Sequence, residues 1–116
     1  YWALRGLGAF RVDREGEVRL PQVADVELEQ ALFATGFGYR TERRAQQIRV
    51  MSEVLPKIRD LRRKGSAALD LCMAAGCVVS GLHGKPEGPD MIVCAPPRLH
   101  ADIVRLLESL HADEGD

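Results

Sequence analysis

Residues 64–76 read KGSAALDLCMAAG, and this stretch decides the fold prediction. It is apolar almost all round, which is typical of a buried helix. Ser66 is a suitable N-cap and Gly76 a suitable C-terminal stop. A basic run directly precedes the helix start, where free backbone N–H groups and the positive end of the helix dipole would point outward together. The helix start at Gly65, Ser66 and Ala67 can therefore bind a phosphate or another anion. From this feature alone, an ordinary capped helix with solvated basic residues before it is the favoured interpretation.

On either side of this stretch, apolar periodicity and turn residues predict alternating strands and helices. Two strands form a hairpin around a turn at 13–16, and further strands are predicted at 31–35, 58–61 and 91–95, the first and last of these buried. One helix follows Thr41 as its N-cap, carries an apolar face that includes Ile48 and Leu55, and ends at Pro56. A second helix covers 97–110, and residues 80–90 form a loop. This order predicts an α/β fold with a layered sheet covered by helices.

The length and charge of the chain limit its class. A chain of 116 residues suits one domain over 1–116, with an acidic tail at 111–116 that is expected to fray. Sixteen basic residues balance 17 acidic ones for a formal net charge of −1, which argues against a nucleic-acid or membrane-surface binder. No apolar run approaches the roughly 20 residues that span a bilayer. The absence of an initiator Met suggests that the chain was cut from something longer.

Several sulfur-bearing and polar side chains carry no predicted chemistry. Three cysteines lie among apolar neighbours and are interpreted as buried thiols of a cytoplasmic protein: Cys72, Cys77 and Cys94. Three histidines show no metal-ligand spacing and no serine–histidine–aspartate pattern, and are interpreted as surface or structural residues: His83, His100 and His111. Four arginines are interpreted as a solvated helix face: Arg40, Arg43, Arg44 and Arg49.

The stretch that decides the fold also resembles the inositol monophosphatases. KGSAALDLC at 64–72, followed by AAG at 74–76, is similar to the family pattern R-x-G-S/T-A-A-x-x-x-C-x-x-A-x-G. RGLGAF at 5–10, TGFGY at 35–39 and MIVCA at 91–95 resemble other segments of the same family. The likeness covers nearly the whole chain. It implies the C-terminal half of a layered α-β-α-β-α sugar-phosphatase fold.

The resemblance implies a Mg²⁺-dependent phosphatase that hydrolyses inositol 1-phosphate, a small phosphorylated polyol, to inositol and phosphate. It assigns Gly65, Ser66 and Ala67 to substrate binding through backbone groups. The family's metal ligands are carboxylates of a Glu-Glu region, an Asp-Pro-x-Asp-Gly-Thr motif and a Trp-Asp pair, and none of these motifs occurs in the chain. No catalytic residue or metal ligand is therefore assigned, and the chain alone is expected to be inactive.

Part of the family pattern is also missing after Gly76. A deletion, a shortened chain and a sequence that leaves out part of the protein all explain this gap. The alternatives to an inositol phosphatase are a related phosphatase acting on fructose 1,6-bisphosphate or histidinol phosphate, and a non-catalytic module that binds a phosphorylated ligand. Family members are often dimers, so a homodimer is expected.

Overall fold

The computed structural model describes residues 1–4, 6–63 and 76–114. The predicted helix at 66–75 and its anion-binding residues Gly65, Ser66 and Ala67 lie outside the described residues. The observed mixture of strands and helices is that of an α/β protein, as predicted. Among the described residues the strands form three sheets, one of three strands and two of two strands, which are called the first, second and third pieces in chain order.

The first piece is an antiparallel sheet of β1 (Trp2–Leu4), β2 (Gly8–Asp13) and β3 (Gly16–Arg19). The predicted hairpin is confirmed, because Asp13 pairs with Gly16 across a two-residue turn. Gly6 and Gly8 have φ values of +80° and +95° in the β1–β2 connection, a backbone conformation that glycine adopts without a steric cost. These glycines serve a turn between strands.

The second piece pairs β4 (Leu32–Ala34) with β5 (Asp60–Arg62) in parallel, and α1 (Thr41–Val54) connects them. The strand predicted at 31–35 is present as β4, but the prediction that it is buried is wrong. Leu32 is 58% exposed, because the described residues cover only one face of this two-stranded sheet. The strand predicted at 58–61 is present, but it begins at Asp60 and ends at Arg62.

Helix α1 begins at Thr41, which is the residue predicted to be its N-cap. Arg40 is the N-cap and makes no side-chain capping bond, while Thr41 is already the first helical residue. The prediction of Thr41 as the cap is therefore wrong. The helix ends as predicted beside Pro56, in a 3₁₀ turn over Leu55–Lys57. Its buried residues are Val50 and Val54, whereas Ile48 and Leu55 are exposed, so the apolar face is narrower than predicted.

The third piece pairs β6 (Val78–Ser80) with β7 (Val93–Ala95) in antiparallel fashion, and α2 (Pro97–Ser109) follows directly. The sequence pattern does not predict strand β6, and its last residue, Ser80, falls within the loop predicted at 80–90. The predicted strand at 91–95 is confirmed over its last three residues, and the proline-initiated helix is confirmed as α2. Neither α1 nor α2, and no other helix in the described ranges, is long and apolar enough to cross a membrane.

One hydrophobic core joins the second and third pieces with the two helices. The buried cluster comprises Ala31, Val50, Val54, Ile58, Leu82, Val93, Ala95, Leu99, Ile103 and Ala112. Its last member lies in the predicted tail. The side-chain amide of Gln46 donates to the carbonyl oxygens of His111 and Glu114, at 3.3 and 3.0 Å. The expectation of fraying is therefore wrong for residues 111–114, which pack against α1.

Candidate functional site at the carboxyl edge of the parallel strands

The parallel pairing of β4 and β5 brings the ends of both strands to one edge of the sheet. Ala34 pairs with Arg62, and the Thr35 N–H extends the pairing by donating to the Arg62 carbonyl at 3.1 Å. The chain leaves β4 into the loop at 35–39. It leaves β5 at Arg63, directly before the predicted substrate-binding residues 65–67. In open α/β sheets, ligands bind outside the carboxyl ends of the strands. This edge is therefore where a ligand site is expected, and residues 35–39 and 62–63 are its described part.

The loop at 35–39 is fixed at one end and open at the other. The Gly38 N–H donates to the Gln47 side-chain oxygen at 2.8 Å, which ties the loop to α1. A Cβ on Gly38 would lie 3.2 Å from the Arg43 side chain, so this position favours glycine, whereas Gly36 faces open space. The Tyr39 side chain is fully exposed.

The two arginines at the end of β5 are engaged differently. Arg62 forms an ion pair with Asp60 and donates to the Leu61 carbonyl at 3.0 Å. The pKa of Asp60 is lowered by the hydrogen bond from the Leu61 N–H, with a further contribution from Arg62. The guanidinium of Arg63 lies over the half-buried Phe37 ring, with 5.6 Å from its central carbon to the ring centroid. The charge of Arg62 is thus paired within its own strand, and Arg63 is held on the neighbouring loop.

One arginine of α1 has a structural partner that the sequence interpretation missed. The Arg43 guanidinium donates to the Asp90 carbonyl oxygen at 2.7 Å and lies 3.5 Å from the Pro89 carbonyl oxygen. The interpretation of Arg43 as part of a solvated face is therefore wrong. Because its donors are directed at backbone carbonyls, this side chain fixes the loop between β6 and β7 against α1.

A serine and a histidine lie in hydrogen-bond contact without forming an activated nucleophile. Nε2 of His100 lies 2.8 Å from the Ser80 hydroxyl oxygen. The Ser80 hydroxyl itself donates to the Gly81 carbonyl at 2.8 Å. With that proton committed to Gly81, the imidazole N–H is the donor to Ser80 and cannot act as its base. The pair links the end of β6 to α2.

The other two histidines have structural contacts, as the sequence analysis interpreted them. The His83 ring contacts the carboxylates of Glu108 and Asp113, and its backbone N–H donates to Glu108 at 2.6 Å. His111 contacts Glu114 through Nδ1 at 3.1 Å. These contacts hold the chain after α2 against the loop that follows β6.

Two of the three cysteines lie in the described part of the chain, and both are free thiols. Burial raises the pKa of Cys77 to about 12, with the neighbouring Cys94 adding to the shift. Burial also raises the pKa of Cys94. Both thiols are therefore protonated near neutral pH, and neither has the thiolate character of a nucleophile or metal ligand. Cys72 lies outside the described residues.

The described residues do not fit a magnesium site. Across 1–4, 6–63 and 76–114, no group of three or more His, Cys, Asp or Glu side chains could hold a metal ion. Asp60, which lies beside the carboxyl edge, already pairs with Arg62. Mg²⁺ requires several oxygen ligands around one point, so no catalytic step through the metal is derived from these residues.

Comparison with known proteins places this architecture among sugar and inositol phosphatases. No family model matches the chain. The inositol-1-monophosphatase of Mycobacterium bovis is 48% identical over 75 residues, which cover 65% of this chain and 26% of that protein. The fructose-1,6-bisphosphatase/inositol-1-monophosphatase of Aquifex aeolicus is 30% identical over 83 residues, covering 71% of this chain and 30% of that protein.

A solved structure extends the match over nearly the whole chain. Mycobacterium tuberculosis SuhB superposes with a TM-score of 0.78 and 32% sequence identity, over 97% of this chain and 55% of that chain. The chain thus spans about a quarter to a third of the curated relatives it matches, and about half of the solved one. The fold is that of an α/β phosphatase. The chain is a relative of the inositol monophosphatases and corresponds to the C-terminal part of their fold.

Proposed function

We propose that this chain is the C-terminal part of a phosphatase that hydrolyses inositol 1-phosphate to inositol and phosphate. The observation that carries the proposal is the superposition on SuhB over 97% of the chain at 32% identity. In this proposal Mg²⁺ supplies charge neutralisation and an activated water, and is held by carboxylates outside the chain. The chain alone is then inactive.

The chain's own contribution is to bind and orient the substrate. Backbone N–H groups of Gly65, Ser66 and Ala67 donate to the phosphate and the adjoining polyol, since glycine lets a ligand approach the backbone closely. The position of β5 supports this assignment, because its carboxyl end and the loop at 35–39 lie at the same edge. Fixing the phosphate there reduces the entropy cost of reaching the transition state.

A sugar bisphosphate is a second candidate substrate. The Aquifex aeolicus relative is named for both fructose-1,6-bisphosphatase and inositol-1-monophosphatase activity, which supports this alternative. A cytoplasmic location is part of the proposal and is supported by the free thiols of Cys77 and Cys94. A homodimer is also proposed, and the exposed apolar side chains of Trp2 and Leu4 on β1 support a contact with another surface.

The test uses the longer protein that contains this chain. Phosphate release from inositol 1-phosphate and from fructose 1,6-bisphosphate is measured with magnesium and after chelation. We expect chelation to abolish turnover, and a preference for inositol 1-phosphate of at least tenfold in kcat/KM. A reversed preference favours the bisphosphatase, and no turnover on either substrate refutes the phosphatase and favours the non-catalytic phospholigand module.

A matched pair of glycine variants tests the substrate-binding residues. Gly65→Val places a branched side chain where the phosphate approaches, and we expect kcat/KM to fall at least tenfold. Gly88→Val is the control, because a Cβ at Gly88 meets no atom within 4 Å. Equal activity of the two variants would contradict the role of Gly65.

A further inference from the structure

We infer that Arg63, held over the ring of Phe37, is a phosphate-binding side chain at the carboxyl edge of β4 and β5. The inference deepens the proposed function and rests on it for the class of ligand, a phosphate group.

The contact between Arg63 and Phe37 holds a cation by its flat face. The guanidinium carbon lies 5.6 Å from the ring centroid. A contact of this kind uses the positive charge of the guanidinium, and N–H groups in the plane of a guanidinium can donate hydrogen bonds at the same time. A guanidinium presents these donors in a planar fork that matches two phosphate oxygens. The Phe37 ring therefore orients the Arg63 guanidinium so that it can bind two oxygens of one phosphate group.

Two other arginines near this edge make contacts within the protein. Arg62 is paired with Asp60, and the donors of Arg43 are directed at the carbonyls of Pro89 and Asp90. Arg63 is the arginine at the end of β5 that the structure places over an aromatic ring, directly before the segment to which substrate binding is assigned. A phosphate that approaches the loop at 35–39 from the carboxyl edge meets Arg63.

The charge of the surrounding sequence favours an anion at this place. Residues 40–64, which include α1 and β5, contain nine Lys and Arg residues and three Asp and Glu residues, although the whole chain has a formal net charge of −1. The first and last residues of this window, at the start of α1 and the end of β5, lie towards the carboxyl edge, where their positive charges favour an anion. The net charge of the whole chain does not show this local excess of positive charge.

The experiment titrates the 116-residue chain with inorganic phosphate in the absence of metal and follows the backbone amide resonances by NMR. We expect the largest shifts in the loop at 35–39 and at Arg63. Arg63→Gln should weaken phosphate binding at least tenfold, because hydrogen bonds to charged groups are among the stronger ones. Arg59→Gln is the matched control, since it removes the same charge before β5 begins, and we expect a change of less than twofold.

Two further variants separate geometry from charge. Arg63→Lys keeps the charge and loses the planar fork, so we expect an intermediate loss. Phe37→Leu removes the aromatic ring, and we expect a loss of about two- to fivefold. Unchanged binding in Arg63→Gln, or an equal loss in Arg59→Gln, would overturn the inference. Because the titration involves neither turnover nor magnesium, its failure leaves the proposed phosphatase activity standing, and absence of turnover in the longer protein leaves phosphate binding at Arg63 standing.

Discussion

Leu82 provides the sharpest test of the core, because it is a loop residue that the structure buries. It lies between β6 and β7 at 2% exposure and belongs to the same cluster as Val54 and Ile103. Leu82→Ala removes the transfer free energy of the lost carbons and leaves a cavity that the surrounding side chains fill only in part. Buried Leu→Ala changes cost about 2–5 kcal/mol, and full burial places this one near 3 kcal/mol.

The measurement is urea unfolding of the chain, followed by far-UV circular dichroism and by fluorescence. Trp2 is the single tryptophan of the sequence, so fluorescence reports on the N-terminal sheet, and coincident transitions support a two-state analysis. With a urea dependence of about 2 kcal/mol/M, the midpoint should fall by roughly 1.5 M.

Leu32→Ala is the matched control for this prediction. Its side chain is 58% exposed in β4, and we expect a change within about 0.5 kcal/mol. If Leu82→Ala were as stable as Leu32→Ala, the loop between β6 and β7 would not be part of the core, and the assignment of Leu82 would be wrong.

Three further predictions concern local geometry and ionisation. Gly81→Ala should destabilise the chain by about 1–3 kcal/mol in urea unfolding, because its Cβ would lie 2.6 Å from the Pro86 carbonyl oxygen, whereas Gly88→Ala, with open space, should be neutral. Hydrogen bonds from the first turn of α2 lower the pKa of Asp25, so its stabilising effect is present above its ordinary pKa of 3.8 and is lost as the pH falls through the lowered value. The difference in melting temperature between wild type and Asp25→Ala should therefore be clear at pH 7 and narrow towards pH 2; a constant difference would contradict this. Iodoacetamide at pH 8 should alkylate Cys77 more slowly in the native than in the urea-unfolded chain, as resolved by peptide mass spectrometry, because its pKa is raised to about 12; equal rates would argue against that protonation state.

The elements that sequence predicted well are those with a strong local signal. Pro56 ends α1 because proline cannot continue the helix, and α2 starts at Pro96 as N-cap and Pro97 as first residue, where proline favours a helix start. The turn between Asp13 and Gly16 defines the hairpin in the same local way. In each case the determining residues are neighbours in the chain, so their effect is visible without knowledge of the tertiary structure.

The predictions that failed depend on partners far away in sequence. The first turn of α2 receives its cap from Asp25, whose carboxylate accepts the N–H groups of Arg98 and Leu99, both at 3.0 Å, across 73 and 74 residues. Arg43 finds its carbonyl partner 47 residues away, in a loop with no periodic pattern. Leu32 has the composition of a buried strand, yet burial depends on what covers the second face of the sheet. Contacts between such distant residues leave no periodic pattern in the sequence.

The candidate site also combines a part that local sequence predicts with a part that depends on long-range contacts. The anion-binding prediction for residues 65–67 came from a local motif, which a sequence displays directly. The Arg63–Phe37 contact could not be found in that way, because it requires the parallel register of β4 and β5 to bring two loops together. The charge segregation over 40–64 was visible in the sequence, but only a count over this window reveals it.

A net charge near zero does not argue against a phosphate ligand, because the charges near the site decide binding. Interactions between exposed charges are largely screened beyond a Debye length of about 8–10 Å, so a bound phosphate responds to the nearby side chains and little to the total. The acidic residues of the hairpin turn lie outside the basic window, and the carboxylates of Asp113 and Glu114 contact the rings of His83 and His111. The net charge of −1 is therefore compatible with a positive carboxyl edge. Two variants test this statement. Loss of the charge at Arg63, just after β5, should weaken phosphate binding, whereas loss of the charge at Arg59, just before β5, should not.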